Sequence, residues 1–145
     1  MACTVGTLGT MSPYKYVVIL SRYRGNILLS RHRKRSTWET QGGHIERGES
    51  PLEAAHRELR EESGARTYTL TPAFDYRAGD AVSHASGVVF LADIETLGAL
   101  PQSEMEEVRA FVRLPDELTY PEITPHLFAH ACRQCPAGET RQRRC

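Results

Sequence analysis

The stretch GHIERGESPLEAAHRELREESGA, Gly43–Ala65, decides how this chain is read. It follows a first glycine, Gly42, and nearly ends on another, Gly64. Between them lie the best helix signals in the sequence. Ser50 is a good N-cap, and Glu53 three residues on completes a capping box. Pro51 suits the first helical position, and Gly64 suits the left-handed position that closes a helix. Leu52, Ala55 and Leu59 form a narrow apolar stripe, so the helix packs on something. Glu58 and Glu62 lie at the edge of that stripe and Glu61 just beyond it. The carboxylates therefore face a groove between helix and core.

Like charges at helical spacings of three and four repel by about 0.2–0.5 kcal/mol per pair. Two readings account for the crowding. One is a solvated helix face, on which Glu53–Arg57 and Arg57–Glu61 form compensating pairs of the same size. The other is a divalent-cation site. Mg²⁺ prefers oxygen ligands, usually carboxylates with substrate phosphates, and keeps several waters.

The surroundings favour the second reading. From Gly43 the chain fits G-x5-E-x7-R-E-U-x-E-E-x-G-U, where U is bulky or aliphatic. Gly43, Glu49, Arg57, Glu58, Glu61, Glu62 and Gly64 fill the fixed positions, and Leu59 and Ala65 the aliphatic ones. At residue frequencies of about one in fifteen, such a match arises by chance at ~10⁻⁸ of starting points. The pattern resembles the Nudix box, the signature of the Nudix hydrolases. The flanking strand order, the paired glycines and a Glu-rich loop extend the resemblance over roughly Pro13 to Phe128.

The resemblance implies an α/β Nudix fold, an α/β/α sandwich with a mixed central sheet. It implies hydrolysis of a nucleoside diphosphate linked to some group X, with Mg²⁺ or Mn²⁺ as cofactor. By position, Glu58, Glu61 and Glu62 correspond to the metal-binding and water-activating carboxylates. Gly42 would offer its carbonyl to the metal, and Glu49 and Arg57 look like a brace for the helix. Many family members add a glutamate from a later loop. Here SEMEEV offers Glu104, Glu106 and Glu107, and Glu104 is preferred because Glu107 abuts a strand. The expected catalytic set is thus Glu58, Glu61, Arg57 and Glu104. The chemistry agrees, since phosphoanhydride cleavage needs neutralised phosphoryl oxygens and an activated water. One departure is Gln41, where the family often has proline; it is expected to loosen the turn but spare the ligands.

The 145 residues suit one domain, expected over 13–132 between a frayed start at 1–12 and a solvated Arg-rich tail at 133–145. Strands are expected at Tyr14–Ser21, Ile27–His32, Thr67–Ala78, Ala85–Ile94 and Val108–Leu114, with a second helix from Thr124. Eighteen basic and eighteen acidic residues balance, which implies neither a nucleic-acid nor a membrane partner. No apolar run approaches membrane-spanning length. The first residues lack a secretory pattern, so a cytoplasmic location is expected. Cys3, Cys132, Cys135 and Cys145 are read as unligated thiols, since CRQC has no second pair and zinc needs four ligands.

Stacking on an aromatic contributes about 1–3 kcal/mol per base. Trp38, Phe74, Tyr76 and Tyr120 are the aromatics that could reach a base, although for each one core or rim packing is the commoner role. Trp38, Tyr76 and Tyr120 are retained as substrate-binding candidates, with His44 and His84 behind them. Sequence marks of the ADP-ribose, dinucleoside polyphosphate and coenzyme A hydrolases are absent. The short single-domain form is similar to the enzymes that convert a nucleoside triphosphate, including an oxidised dNTP, to monophosphate and pyrophosphate. A small-molecule nucleotide is the expected partner. A nucleotide-sugar or other diphosphate hydrolase is the enzymatic alternative. A non-catalytic nucleotide-sensing domain is the other, though such domains usually lose box glutamates. The oligomeric state stays open.

Overall fold

The computed structural model describes residues 2–134. Its axis is strand β2 (Tyr16–Tyr23), rich in β-branched and aromatic residues. Side chains alternate across it. Val17 and Ile19 join one core with Ala54, Ala55 and Leu59 of helix α1 (Pro51–Ser63). Tyr16, Val18 and Leu20 join a second core with Leu127, Phe128 and Ala131 of helix α2 (Thr124–Gln134). The chain is therefore an α/β/α sandwich. The sheet is mixed: β2 runs parallel to β7 (His84–Leu97), whereas β1 (Ala2–Gly6), β6 (Ala65–Gly79), β3 (Asn26–His32), β4 (Trp38–Glu39), β5 (Gln41–His44) and β8 (Met105–Phe111) pair antiparallel.

The second edge of β2 forks. Its first half pairs with β5, Tyr16 opposite His44 through Ile19 opposite Gln41, and its end pairs with β3 at Arg22 and Tyr23. A splayed sheet leaves ladder groups without partners, and buried polar groups need them. Gln41, fully buried, fills the fork. Its Nε2 donates to the Leu28 carbonyl at 3.2 Å and to Ser30 Oγ at 2.9 Å, and its Oε1 accepts from Ser21 Oγ at 2.7 Å. Ser30 Oγ donates in turn to the Glu62 carbonyl at 2.7 Å, which ties the fork to the last turn of α1. Proline could make none of the Gln41 bonds. The residue expected to loosen this turn instead fastens it.

Several elements differ from expectation. The frayed start is replaced by β1, paired to β6 from Ala2 opposite Gly79 to Gly6 opposite Asp75. The free edge of β6 supplies the ladder, and Cys3 and Val5 pack on the second core. The Met11 N–H and Tyr14 hydroxyl donate to the buried Asp75 carboxylate and hold the following segment. Strand β8 begins and ends three residues before the expected one, so Glu106 and Glu107 lie in the sheet rather than in a loop. Leu52 is exposed and Ala54 takes its place in the buried stripe of α1. Arg133 and Gln134 end α2 instead of opening the tail. The remainder of the expected tail, with Cys135 and Cys145, lies outside the described residues. Among these residues no helix is long and apolar enough to cross a membrane.

The fork makes a direct prediction. Gln41→Leu keeps the volume but strands the Leu28 carbonyl and the Ser21 hydroxyl. At about 1–3 kcal/mol for each of the two buried groups left unsatisfied, the variant should lose roughly 2–6 kcal/mol in urea unfolding. A loss below about 0.5 kcal/mol, within the range of an ordinary surface change, would contradict the role given to Gln41.

Candidate active site

Helix α1 is fixed at both ends by the groups its sequence advertises. Ser50 Oγ accepts from the Glu53 N–H at 3.1 Å, and Glu53 returns the bond to the Ser50 N–H at 3.0 Å. Gly64 closes the helix at φ 77°. The helix lies on β5 so that Glu58 and Glu62, one turn apart, are each 9 % exposed. Glu62 Oε1 accepts from the Gly42 N–H at 2.8 Å. This approach needs glycines beneath it. A Cβ on Gly42, at φ 154°, would overlap the Val17 carbonyl oxygen, and one on Gly43 would sit 2.7 Å from Glu58 Oε1. Glu61, with 52 % of its side chain exposed, faces the open side.

Arg57 is the brace. Its Nε and Nη2 grip both oxygens of Glu49 at 2.7 and 2.9 Å, and its Nη1 donates to Glu58 Oε1 at 2.8 Å. Nη2 also donates to the His44 carbonyl at 3.1 Å, which joins helix, loop and β5. The bonds from Arg57, helped by the Glu46 N–H, hold the Glu49 carboxyl down to about 2. Glu58 moves the other way, because burial outweighs the attraction of Arg57. Glu62 is raised to about 9. Burial is the main cause, the Gly42 N–H opposes it, and the charges of Glu58, Glu39 and Glu104 add to it.

Three carboxylates, Glu58, Glu39 and Glu104, thus act on a buried one that no cation among the described residues pairs with. Hard oxygen donors of this kind fit Mg²⁺ or Mn²⁺. Glu58, Glu61, Glu62 and the Gly42 carbonyl are the groups that would hold it. Among the described residues no three acidic, His or Cys side chains already converge on an ion-sized site. Glu104 stands just before β8 with its side chain 81 % exposed and its Oε2 3.6 Å from His32 Nε2. Glu107 is instead paired with Arg31 and Arg109, and Glu106 with Arg31.

A cavity of about 560 Å³ opens beside the paired glycines, within the usual range for a small-ligand site. Tyr76 and Tyr120 line it, together with Lys15, Tyr16, His44 and His84. Trp38 does not. It is 6 % exposed, edge-on to Phe111 at 5.1 Å and covered by Arg109 at 4.8 Å. It is a core residue rather than a base platform, and so is the fully buried Phe74, which meets His130 edge-on. Glu39 is the site residue that sequence reasoning missed. It follows Trp38 in a two-residue strand and so points to the opposite face. It lines the cavity at 8 % exposure, with Arg35 Nη1 3.1 Å from its Oε2. The signal was the alternation itself, with an apolar Trp38 followed by a charged neighbour.

The family model of the NUDIX domain matches residues 12–130. The chain belongs to the Nudix family. The Bacillus subtilis protein YtkD, provisionally named an 8-oxo-dGTP diphosphatase, is 33 % identical over 108 residues, 72 % of this chain and 66 % of YtkD. An RNA pyrophosphohydrolase of Mesorhizobium japonicum is 43 % identical over 54 residues, 37 % of this chain and 31 % of its own. The match thus spans just under two thirds of one relative and about a third of the other. Among solved structures, the Bacillus subtilis pyrophosphohydrolase BsRppH superposes with a TM-score of 0.70 at 27 % identity, over 83 % of this chain and 78 % of that one. A UDP-X diphosphatase shares the fold with a TM-score of 0.64 at 22 % identity, over 81 % and 60 % of the two chains.

The raised Glu62 makes this Nudix domain's stability depend on pH. Its folded pKa, about 9, lies above the ordinary 4.5, so the folded chain keeps a proton that the unfolded chain releases. Stability from this group is complete below pH 4.5 and is lost as pH rises toward 9. Glu62→Gln removes the titration and keeps an oxygen for the Gly42 N–H. In metal-free buffer its melting temperature should match the wild type near pH 5 and exceed it by several degrees at pH 9. A constant difference across that range would contradict the assignment.

Proposed function

We propose that this Nudix domain is a divalent-cation-dependent pyrophosphohydrolase that cleaves a nucleoside triphosphate, including an oxidised dNTP, to monophosphate and pyrophosphate. The observation that carries the reading is the junction of the two sites. The carboxylate helix and the nucleoside-sized cavity meet at Gly42 and Gly43, so phosphates over the first place a base in the second. All box glutamates are present, which favours turnover over nucleotide sensing. The naming of YtkD supports a free triphosphate as substrate.

The side chains divide the work. Glu58, Glu61 and Glu62, with the Gly42 carbonyl, would hold Mg²⁺ or Mn²⁺, which would supply charge neutralisation at the phosphoryl oxygens and acidify the attacking water. Arg57 keeps Glu58 turned toward that position while Glu49 keeps Arg57 in place. Glu104, exposed and not paired to an arginine among the described residues, accepts a proton from the attacking water. Tyr120, exposed at the cavity, flanks the base, and Tyr76, as buried as Trp38, forms part of the cavity wall. Burial raises the Tyr76 phenol, so it stays a neutral donor at physiological pH.

A substrate panel tests the reading. Mg²⁺-dependent release of nucleoside monophosphate should be fastest with a dNTP or 8-oxo-dGTP, with pyrophosphate as the second product, and slower with ADP-ribose and nucleotide sugars, whose second product is a sugar phosphate. Release confined to RNA with a 5′-triphosphate would move the substrate from a free nucleotide to a chain end, as the names of BsRppH and the Mesorhizobium protein would allow. Tight binding without turnover would favour the sensor. Within the enzyme, Glu61→Gln should lose at least ~100-fold in kcat with little change in melting temperature. Arg57→Lys should not restore what Arg57→Ala loses, because lysine cannot grip both Glu49 oxygens. Full activity in Arg57→Lys would mean that charge alone matters.

A further inference from the structure

The segment that brings Glu104 to the site is pinned at its backbone. The Arg33 N–H donates to the Glu104 carbonyl at 2.9 Å and Arg33 Nη2 to the Ser103 carbonyl at 2.7 Å. On the other side the Met105 N–H donates to Ser103 Oγ at 3.2 Å, and the Met105 side chain is buried. Only the Glu104 side chain is left to move.

A β-bulge determines what it meets. The pairing of β3 with β8 shifts register between Arg31 and His32. Such an extra residue re-aims the side chains beside it. Arg31 goes to Glu106 and Glu107, whereas His32, with a side chain 17 % exposed, faces Glu104. The ring orientation is defined by a second contact, since the Lys34 N–H approaches His32 Nδ1 at 3.1 Å. Nδ1 must then accept, and in the neutral ring the proton sits on Nε2. Nε2 is the nitrogen 3.6 Å from Glu104 Oε2, a separation one small rotation short of a hydrogen bond.

We propose that His32 is a positioning residue for the reaction: its Nε2–H, presented by the Lys34 N–H on Nδ1, steers the Glu104 carboxylate toward the attacking water. The proposal rests on the reading of Glu104 as proton acceptor given above. The neutral ring that accepts from the Lys34 N–H already carries its proton on Nε2, so the steering needs no positive charge on His32. The Glu104 charge is felt at Glu62, which places the steered group on the carboxylate side.

The two amide replacements of histidine separate the two ring nitrogens. A glutamine places its NH₂ near Nε2, and an asparagine places its amide near Nδ1. His32→Gln should keep most of kcat, whereas His32→Asn should lower it about tenfold with KM for the nucleotide unchanged, as for a misplaced catalytic group. In a Glu104→Gln background His32→Asn should have no further effect. Long-range ¹H–¹⁵N spectra of the metal-free full chain above pH 8 should show His32 as the Nε2–H tautomer. An Nδ1–H tautomer overturns the proposal whatever the enzyme turns over. Equal losses in the two His32 variants, or an undiminished His32→Asn loss in the Glu104→Gln background, overturn it as well. If Glu104→Gln itself keeps wild-type kcat, the reading of Glu104 has failed and the proposal falls with it, an outcome the single Glu104 variant identifies.

Discussion

The site is built around a carboxylate laid against bare backbone. Glu62 lies nine-tenths buried with its carboxylate on the Gly42 N–H, and Gly43 leaves room for Glu58 beside it. A methyl group on Gly42 would collide with the β2 backbone at Val17, and one on Gly43 would push the Glu58 carboxylate out. Desolvating a charge is costly, and one hydrogen bond does not offset it. The result is a folded protein that holds Glu62 at a high pKa until something positive arrives.

The surrounding ion pairs commit the nearby arginines elsewhere and leave Glu62 to its proton. Arg57 is committed to Glu49 and Glu58, Arg35 to Glu39, and Arg31 to Glu106 and Glu107. Each arginine holds a carboxylate in place, and none of these contacts reaches Glu62. The buried chain from Ser21 through Gln41 and Ser30 to the Glu62 carbonyl then fixes the far end of the helix to the sheet fork. Such a network is stable only when every member is paired, and this one is. Rigid support beneath and carboxylates able to exchange a proton for a cation are the two properties that the proposed hydrolysis needs.

Helix α1 was legible because its caps, its stripe and its glycines all act locally. Ser50, Glu53 and Gly64 do in the structure what their neighbours along the chain dictate. Strand β1 was illegible for the opposite reason: Ala2–Gly6 is ordered by the distant edge of β6, and a short polar stretch carries no trace of that edge. Gln41 looked like a weakened proline because the fork it fills is made by three separate strands. Trp38 looked like a base platform because an aromatic beside a motif has no visible depth, and only the packing of Phe111 and Arg109 shows it to be core. Glu39 was passed over for the aromatic next to it, although the period of a strand places the two on opposite faces. The brace of Arg57 on Glu49 was readable inside the box, and Tyr76 and Tyr120 were picked by residue type, whereas the depth of Trp38 and the place of Glu39 depend on packing between elements.

The claim on which the account turns is that a cation occupies the place prepared beside Glu62. Binding there must displace the proton that burial retains. Calorimetric titration of Mn²⁺ at pH 7, repeated in buffers of different ionisation enthalpy, counts that proton. The account predicts release of about one proton per ion bound by the wild type and almost none by Glu62→Gln. Equal release by the two proteins, or binding with no release by either, would contradict it.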